Sequence, residues 1–321
     1  MWAINPGEVR QGDILLVTQI PGEAVGKLME RLDGTVFSHS GIATRADGAD
    51  GAATHLASAL AQKLPHSQDY GGVRWDLFEK YWENERDLYC IPMPDDARRE
   101  ALEYLADFEP VPDEEGSFSY VKLVTVAAGL RAVELEETQP ELAERMFDAA
   151  CKLADAWKAT SRVRSYFCAE LVANAFGRTF TRAEMVPPEV DEEPDKDIAE
   201  WRWVGFLVDL MVDWVDADDP RRQAWMDLCA ILTAEDWDFV ADAATALAKS
   251  GMRVFGSGPR EPAVPGPLRP PPPTPGQARP DTPIPHALVT PRMLWQVFGH
   301  DEDGRSTLRR VRRPSESTTA E

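Results

Sequence analysis

The hydrophobic period of this chain changes once, and that change limits what it can fold into. Up to residue 91 the apolar residues fall in short runs broken by Gly, Asp and Pro, as strands and turns require. Asp13 to Ile20 (DILLVTQI), Thr35 to Thr44 (TVFSHSGIAT), Ala53 to Ala57 (ATHLA), Val73 to Trp75 and Leu88 to Ile91 (LYCI) are the predicted strands. From Asp95 the spacing becomes helical: Asp95 to Phe108 aligns Ala97, Ala101, Leu105 and Phe108, with acids in its first turn to suit the helix dipole. Tyr120 to Leu135 and Pro140 to Trp157 are two further predicted helices, apolar enough to pack in a core. Strands first and helices afterwards predict an α+β fold, with a short, mainly antiparallel sheet packed against helices.

Beyond residue 183 the composition shifts. Residues 184–255 read as an acidic linker followed by a small helical insertion carrying Trp201, Trp203, Trp214, Trp225 and Trp237, whose spacing suits a module core better than an aromatic cage. Residues 256–285 hold the run RPPPPTP and too few apolar side chains for a core, so they read as a Pro-rich, disordered linker. Residues 286–300 contain a short helix from Pro291 to Phe298, and 301–321 carry Arg305, Arg309, Arg310, Arg312 and Arg313, read as a basic disordered tail. The formal charge of -21 argues against nucleic acid as a partner, since phosphate backbones need a concentrated basic surface. The N-terminal residues show neither a signal pattern nor a membrane anchor, and no apolar run is long enough to span a bilayer, so the expected location is cytoplasmic.

Four cysteines, Cys90, Cys151, Cys168 and Cys229, occur without a C-x-x-C pair, which favours reduced thiols over a disulfide or zinc framework. Cys168 stands out. In Tyr166 to Phe176 (YFCAELVANAF) it shares a face with Leu171, Val172, Ala175 and Phe176 and lies in the first turn, where backbone donors and the dipole favour a thiolate. Of the five histidines, His39 is the best placed to pair with it, on a strand that puts Phe37, His39, Gly41 and Ala43 on one face. Ser38 and Ser40 then point the other way. Cys90, Cys151 and Cys229 read as packing residues, and Glu170 as a first-turn dipole partner. Zinc accepts ligands such as His39, His55 and Cys168, but no short ligand spacing supports a metal site, and no cofactor is expected.

The order GDILLV, FSHSGIA, then YFCAELV resembles the circularly permuted papain-fold hydrolases, the NlpC-type superfamily in its YiiX-like branch, with lecithin retinol acyltransferases as more distant relatives. The match covers mainly residues 10–180, and VTPRMLW at 289–295 resembles the segment that closes the domain in that branch. The resemblance implies a permuted papain-like catalytic domain over 1–183, completed by 286–300. It implies a Cys168 nucleophile, a His39 base, and a third residue on the next strand that orients the imidazole. That residue is Glu in the YiiX-like branch and His in the acyltransferases; here the position offers His55, with Asp76 in reserve. The implied activity is cysteine-dependent hydrolysis of a peptide or peptidoglycan-type amide through an acyl-enzyme, or acyl transfer from a lipid, or thioester cleavage, on the same dyad. The Cys168 N–H is the first oxyanion donor by position. The competing expectation is a non-catalytic module that keeps the fold and binds a protein partner through the helical insertion or the Pro-rich segment.

Overall fold

The computed structural model describes residues 2–18, 33, 35–45, 51–60, 72–108, 120–160, 168–185, 223–224, 226–228, 230–231 and 282–319. The expected sheet is present. Strands β1 (Trp2–Ile4), β2 (Ile14–Thr18), β3 (Phe37–Thr44), β4 (His55–Leu60), β5 (Gly72–Leu77), β6 (Leu88–Ile91) and β9 (Arg309–Val311) form one sheet in the order β1-β9-β6-β2-β3-β4-β5. Every pairing is antiparallel except β1 with β9. A two-stranded ribbon of β7 (Phe180–Thr181) and β8 (Pro283–Ile284) stands apart from it. The helices whose bounds lie within the described residues are α1 (Phe78–Glu83), α2 (Asp95–Ala106), α3 (Tyr120–Leu135), α4 (Pro140–Thr160), α5 (Cys168–Ala175) and α6 (Pro291–Phe298). This is an α+β architecture.

The sheet is covered on both faces, which explains why its central strand β2 reads as a continuous apolar run and not an alternating one. Ile14, Leu16, Ile42, Ala57 and Ile91 point to a larger core shared with α2 to α6. Leu15, Val17, Ala43, Leu56, Leu88, Cys90 and Val311 point to a smaller core capped by Phe78, Tyr81 and Trp82 of α1. The larger core holds Val126 and Leu130 of α3, Met146 and Leu153 of α4, Val172 of α5 and Leu294 of α6. Gly41 marks the tightest point of the strand pair β3–β4: a Cβ there would collide with the Ala57 carbonyl oxygen and the Leu56 and Ser58 side chains.

One irregularity matters for the site. The β2–β3 register pairs Val17 with His39 but Thr18 with Phe37, so Ser38 is an extra residue in a β-bulge. The bulge breaks the expected alternation. Phe37 turns into the larger core, edge-on to Tyr89 and Trp295, while His39, Gly41 and Ala43 face the smaller one.

The arginine-rich C-terminal stretch, expected as a disordered tail, is instead part of the sheet. Strand β9 fills the gap between β1 and β6, Arg310 and Arg313 both donate to Asp87, and Arg310 also pairs with Glu316. Those bonds neutralise the positive run locally. The helix expected from Pro291 to Phe298 is present, with Thr290 as its N-cap accepting from the Met293 N–H. Of the stretch read as an insertion, Leu228 packs into the larger core. Its tryptophans, most of the Pro-rich linker, Tyr166, Phe167 and Cys229 lie outside the described residues.

Candidate functional site

Helix α5 is buried along almost its whole length, and it delivers Cys168, its first residue, to the middle of β3. The contact is at Ser40, one residue beyond the histidine singled out in the sequence. The Ser40 N–H and hydroxyl and the Ala169 N–H face the Cys168 sulfur, and Arg86 adds a positive charge nearby. Each favours a thiolate. Burial opposes them and wins: the sulfur's residue is 1% exposed, and the thiol is pushed up to about 11. The expected low-pKa thiolate is therefore not the state in this structure, because loss of water around the sulfur outweighs the donors of the first helical turn.

His39 lies on the other side of the same strand. It is opposite Val17, whose side chain belongs to the smaller core, whereas Ser40 is opposite Leu16, which belongs to the larger core with Cys168. The imidazole stacks on Tyr81 with ring centroids 6.2 Å apart. Its Nε2 is buried with no hydrogen-bond partner. Burial first, then the charges of Arg86 and Lys80, hold His39 well below the usual histidine range, so the ring is neutral. No hydrogen bond joins His39 to Cys168. The expected thiol–imidazole pair is brought to neighbouring residues of one strand but onto opposite faces, because Cys168 packs against Ser40 and successive residues of the unshifted stretch alternate.

His55, the expected orienting residue, is not placed for that role. It pairs across β3 with Thr44 and shares the face of Ala57, so it is turned away from His39 and stands four residues, or about 13 Å, along the strand from Ser40. Its Nδ1 lies 2.8 Å from the Thr54 hydroxyl. Asp76, held in reserve, does share the face of His39: it is opposite Leu56, and one of its oxygens accepts from Lys80 at 2.7 Å and Arg74 at 3.2 Å. Its other oxygen, Oδ2, is buried without a partner. Tyr81 completes this layer, its hydroxyl 3.4 Å from the Ser58 hydroxyl, with burial raising the phenol above its ordinary range.

The residue that sequence reasoning missed is Arg86. Its Nε donates to the Thr18 carbonyl at 2.7 Å, its Nη2 donates to the bulged Ser38 hydroxyl at 3.0 Å, and its guanidinium lies 5.7 Å from the Tyr81 ring centroid. Among the described residues it is the one cation acting on both the thiol and the imidazole. Nothing in the segment ENERDLYC marks it, since its role depends on a bulge between strands far apart in sequence.

Among the described residues no group of three or more His, Cys, Asp or Glu side chains is arranged to hold a metal ion. No helix among them is long and apolar enough to cross a membrane. Set against protein-family models, curated proteins and solved structures, the chain matches nothing in any of the three.

Proposed function

We propose that this chain is a cysteine-dependent hydrolase of the amidase or peptidase kind, with Cys168 as nucleophile, and that the arrangement described is its closed, resting state. The observation that carries this reading is the Ser40 contact. The fold brings the first residue of α5 against the residue next to His39 and turns two backbone N–H groups and a hydroxyl toward the sulfur. Donors so placed suit a thiolate first and the oxyanion of a tetrahedral intermediate afterwards. His39 Nε2 is buried without a hydrogen-bond partner, and an unsatisfied polar group in a core calls for a functional explanation.

In this reading His39 reaches the sulfur when the bulge moves from Ser38 to Ser40, which would pair His39 with Leu16 and turn its ring onto the face of Cys168. The thiol proton passes to the imidazole, and the sulfur attacks the carbonyl carbon. The leaving group takes the proton as the acyl-enzyme forms, and water then releases the acid and restores the thiol. The likeness to permuted papain-fold hydrolases of the NlpC-type superfamily is part of this proposal, as are its substrates: a peptide or peptidoglycan-type amide, or an acyl lipid with transfer to another acceptor.

A second reading, a non-catalytic module on the same fold, is favoured by one specific observation, the placement of the imidazole across β3 from the thiol. Incubation with an activated ester such as p-nitrophenyl acetate at pH 7.5, followed by peptide mapping, separates the two. The hydrolase acquires an acyl group on Cys168, at a rate at least about 100-fold lower in His39→Ala, the scale of general-base loss. A chain that stays unacylated at Cys168, or is acylated equally in His39→Ala, is the module.

A further inference from the structure

His286 lies in a single 3-10 turn, His286–Leu288, between β8 and α6, and both of its ring nitrogens face acceptors. Nδ1 is 3.0 Å from the Asn174 side-chain oxygen, and Nε2 is 2.8 Å from the Arg178 carbonyl. A carbonyl only accepts. The Asn174 amide is fixed as well, since its nitrogen donates to the Glu170 carbonyl at 2.8 Å, which leaves its oxygen toward the ring. A neutral imidazole has a single N–H, so only the imidazolium satisfies both acceptors at once. The ring also sits past the C-terminal end of α5, just after Gly177 at φ 60°, where the negative end of a helix favours a cation.

We propose that His286 is a pH-sensitive clasp: as an imidazolium it holds the 283–298 segment against the Cys168 helix, and on losing a proton it releases one of its two bonds. The segment it anchors is deeply seated, with Leu288, Val289 and Leu294 in the larger core, and β8 pairs with β7, which begins two residues after Arg178. The two arginines that follow α5 have carboxylate partners of their own. The Arg178 guanidinium packs over Phe180 and pairs with Glu184 at 3.0 Å, and Arg182 pairs with Glu136, just past α3, and with Glu144 of α4. Phe180 presents its ring to the imidazole edge to face at 6.2 Å. The clasp does not depend on what Cys168 does chemically.

The sign follows from the protonation state. A histidine whose charged form is favoured in the fold contributes stability that is full at low pH and is lost as pH rises past neutrality. The test is ring nitrogen NMR of the full chain, with the His286 ring assigned by through-bond correlation to its own backbone. Both ring nitrogens are protonated at pH 7.5, where a free histidine is about nine-tenths neutral, and Asn174→Ala returns the ring to the neutral form at that pH. Urea unfolding gives a second readout: the wild-type folding equilibrium weakens about tenfold or more relative to His286→Gln between pH 6 and pH 9. Should that variant not fold, the wild-type spectrum alone decides. A single-protonated His286 ring at pH 7.5, or an unchanged ring in Asn174→Ala, overturns the proposal.

Discussion

Asp33 is fully buried, and its carboxylate stands at the N-terminus of α6, where Thr290 Oγ1 donates to one oxygen at 2.7 Å and the Arg292 N–H donates to the other at 3.2 Å. The Arg292 guanidinium donates to the Asp33 carbonyl as well. Despite these donors and a nearby positive charge, loss of solvent raises the Asp33 carboxyl from 3.8 to about 6. A folded value above the unfolded one means that the protonated form is the better fit. Its stability contribution is full below pH 3.8 and is lost as pH rises through 6. A shift of that size corresponds to about 3 kcal/mol. The perturbation is Asp33→Asn, which removes the titration but also leaves an amide N–H facing the Arg292 N–H, at a cost of about 1–3 kcal/mol that does not vary with pH. Urea unfolding of both proteins from pH 3.5 to pH 7.5 isolates the variable part. The wild-type advantage over Asp33→Asn should shrink by about 3 kcal/mol across that range. An advantage that is flat with pH, or that grows as pH rises, refutes the reasoning and assigns the carboxylate to its donors instead of to its burial.

Three other outcomes are expected. Gly41→Ala drives a methyl into the Ala57 carbonyl and should cost about 2 kcal/mol or more, read from the urea midpoint at unchanged slope. Asp13 accepts from the Arg10 and Met93 N–H groups and from Arg98 Nε, so Asp13→Ala strands three donors and should cost about 3–5 kcal/mol by the same assay. His39, held neutral by burial and by Arg86 and Lys80, should show no ring titration near 6.5 in NMR, and its contribution to stability falls away only on acidification, since a base with a depressed value favours the fold above its unfolded range.

How much of this was legible in the sequence depends on what each element answers to. Strand β6 and helix α3 lie where the residue pattern put them, Leu88–Ile91 and Tyr120–Leu135, because burial on both faces or along a long apolar surface leaves an unbroken local signal. Helix α6 was legible through Pro291 at its first turn. Strand β9 was not: its Arg-Arg-Val sequence is polar, and it becomes a strand because β1 and β6 flank it and Asp87 receives its arginines. The short helix α1 was missed for a similar reason, since Phe78, Tyr81 and Trp82 bury on a face of the sheet that the pattern did not reveal as covered. At the site, the sequence placed Cys168 at a helix start and brought it to the strand of His39. It did not reveal that the helix of Cys168 packs on the Ser40 face of the strand and not on the face of His39, since that depends on contacts between elements far apart in the chain. The β3–β4 register, which sets His55 opposite Thr44, keeps it from the role expected of it.

In this structure the Cys168 thiol is uncharged and walled off by a strand from a neutral imidazole. A difference titration of thiolate absorbance, wild type minus Cys168→Ser, reads that directly in the intact chain. The expected midpoint is near 11 with His39 still neutral. A midpoint below 8 that moves upward in His39→Ala would contradict it, because the two side chains would then already meet on one face of the sheet.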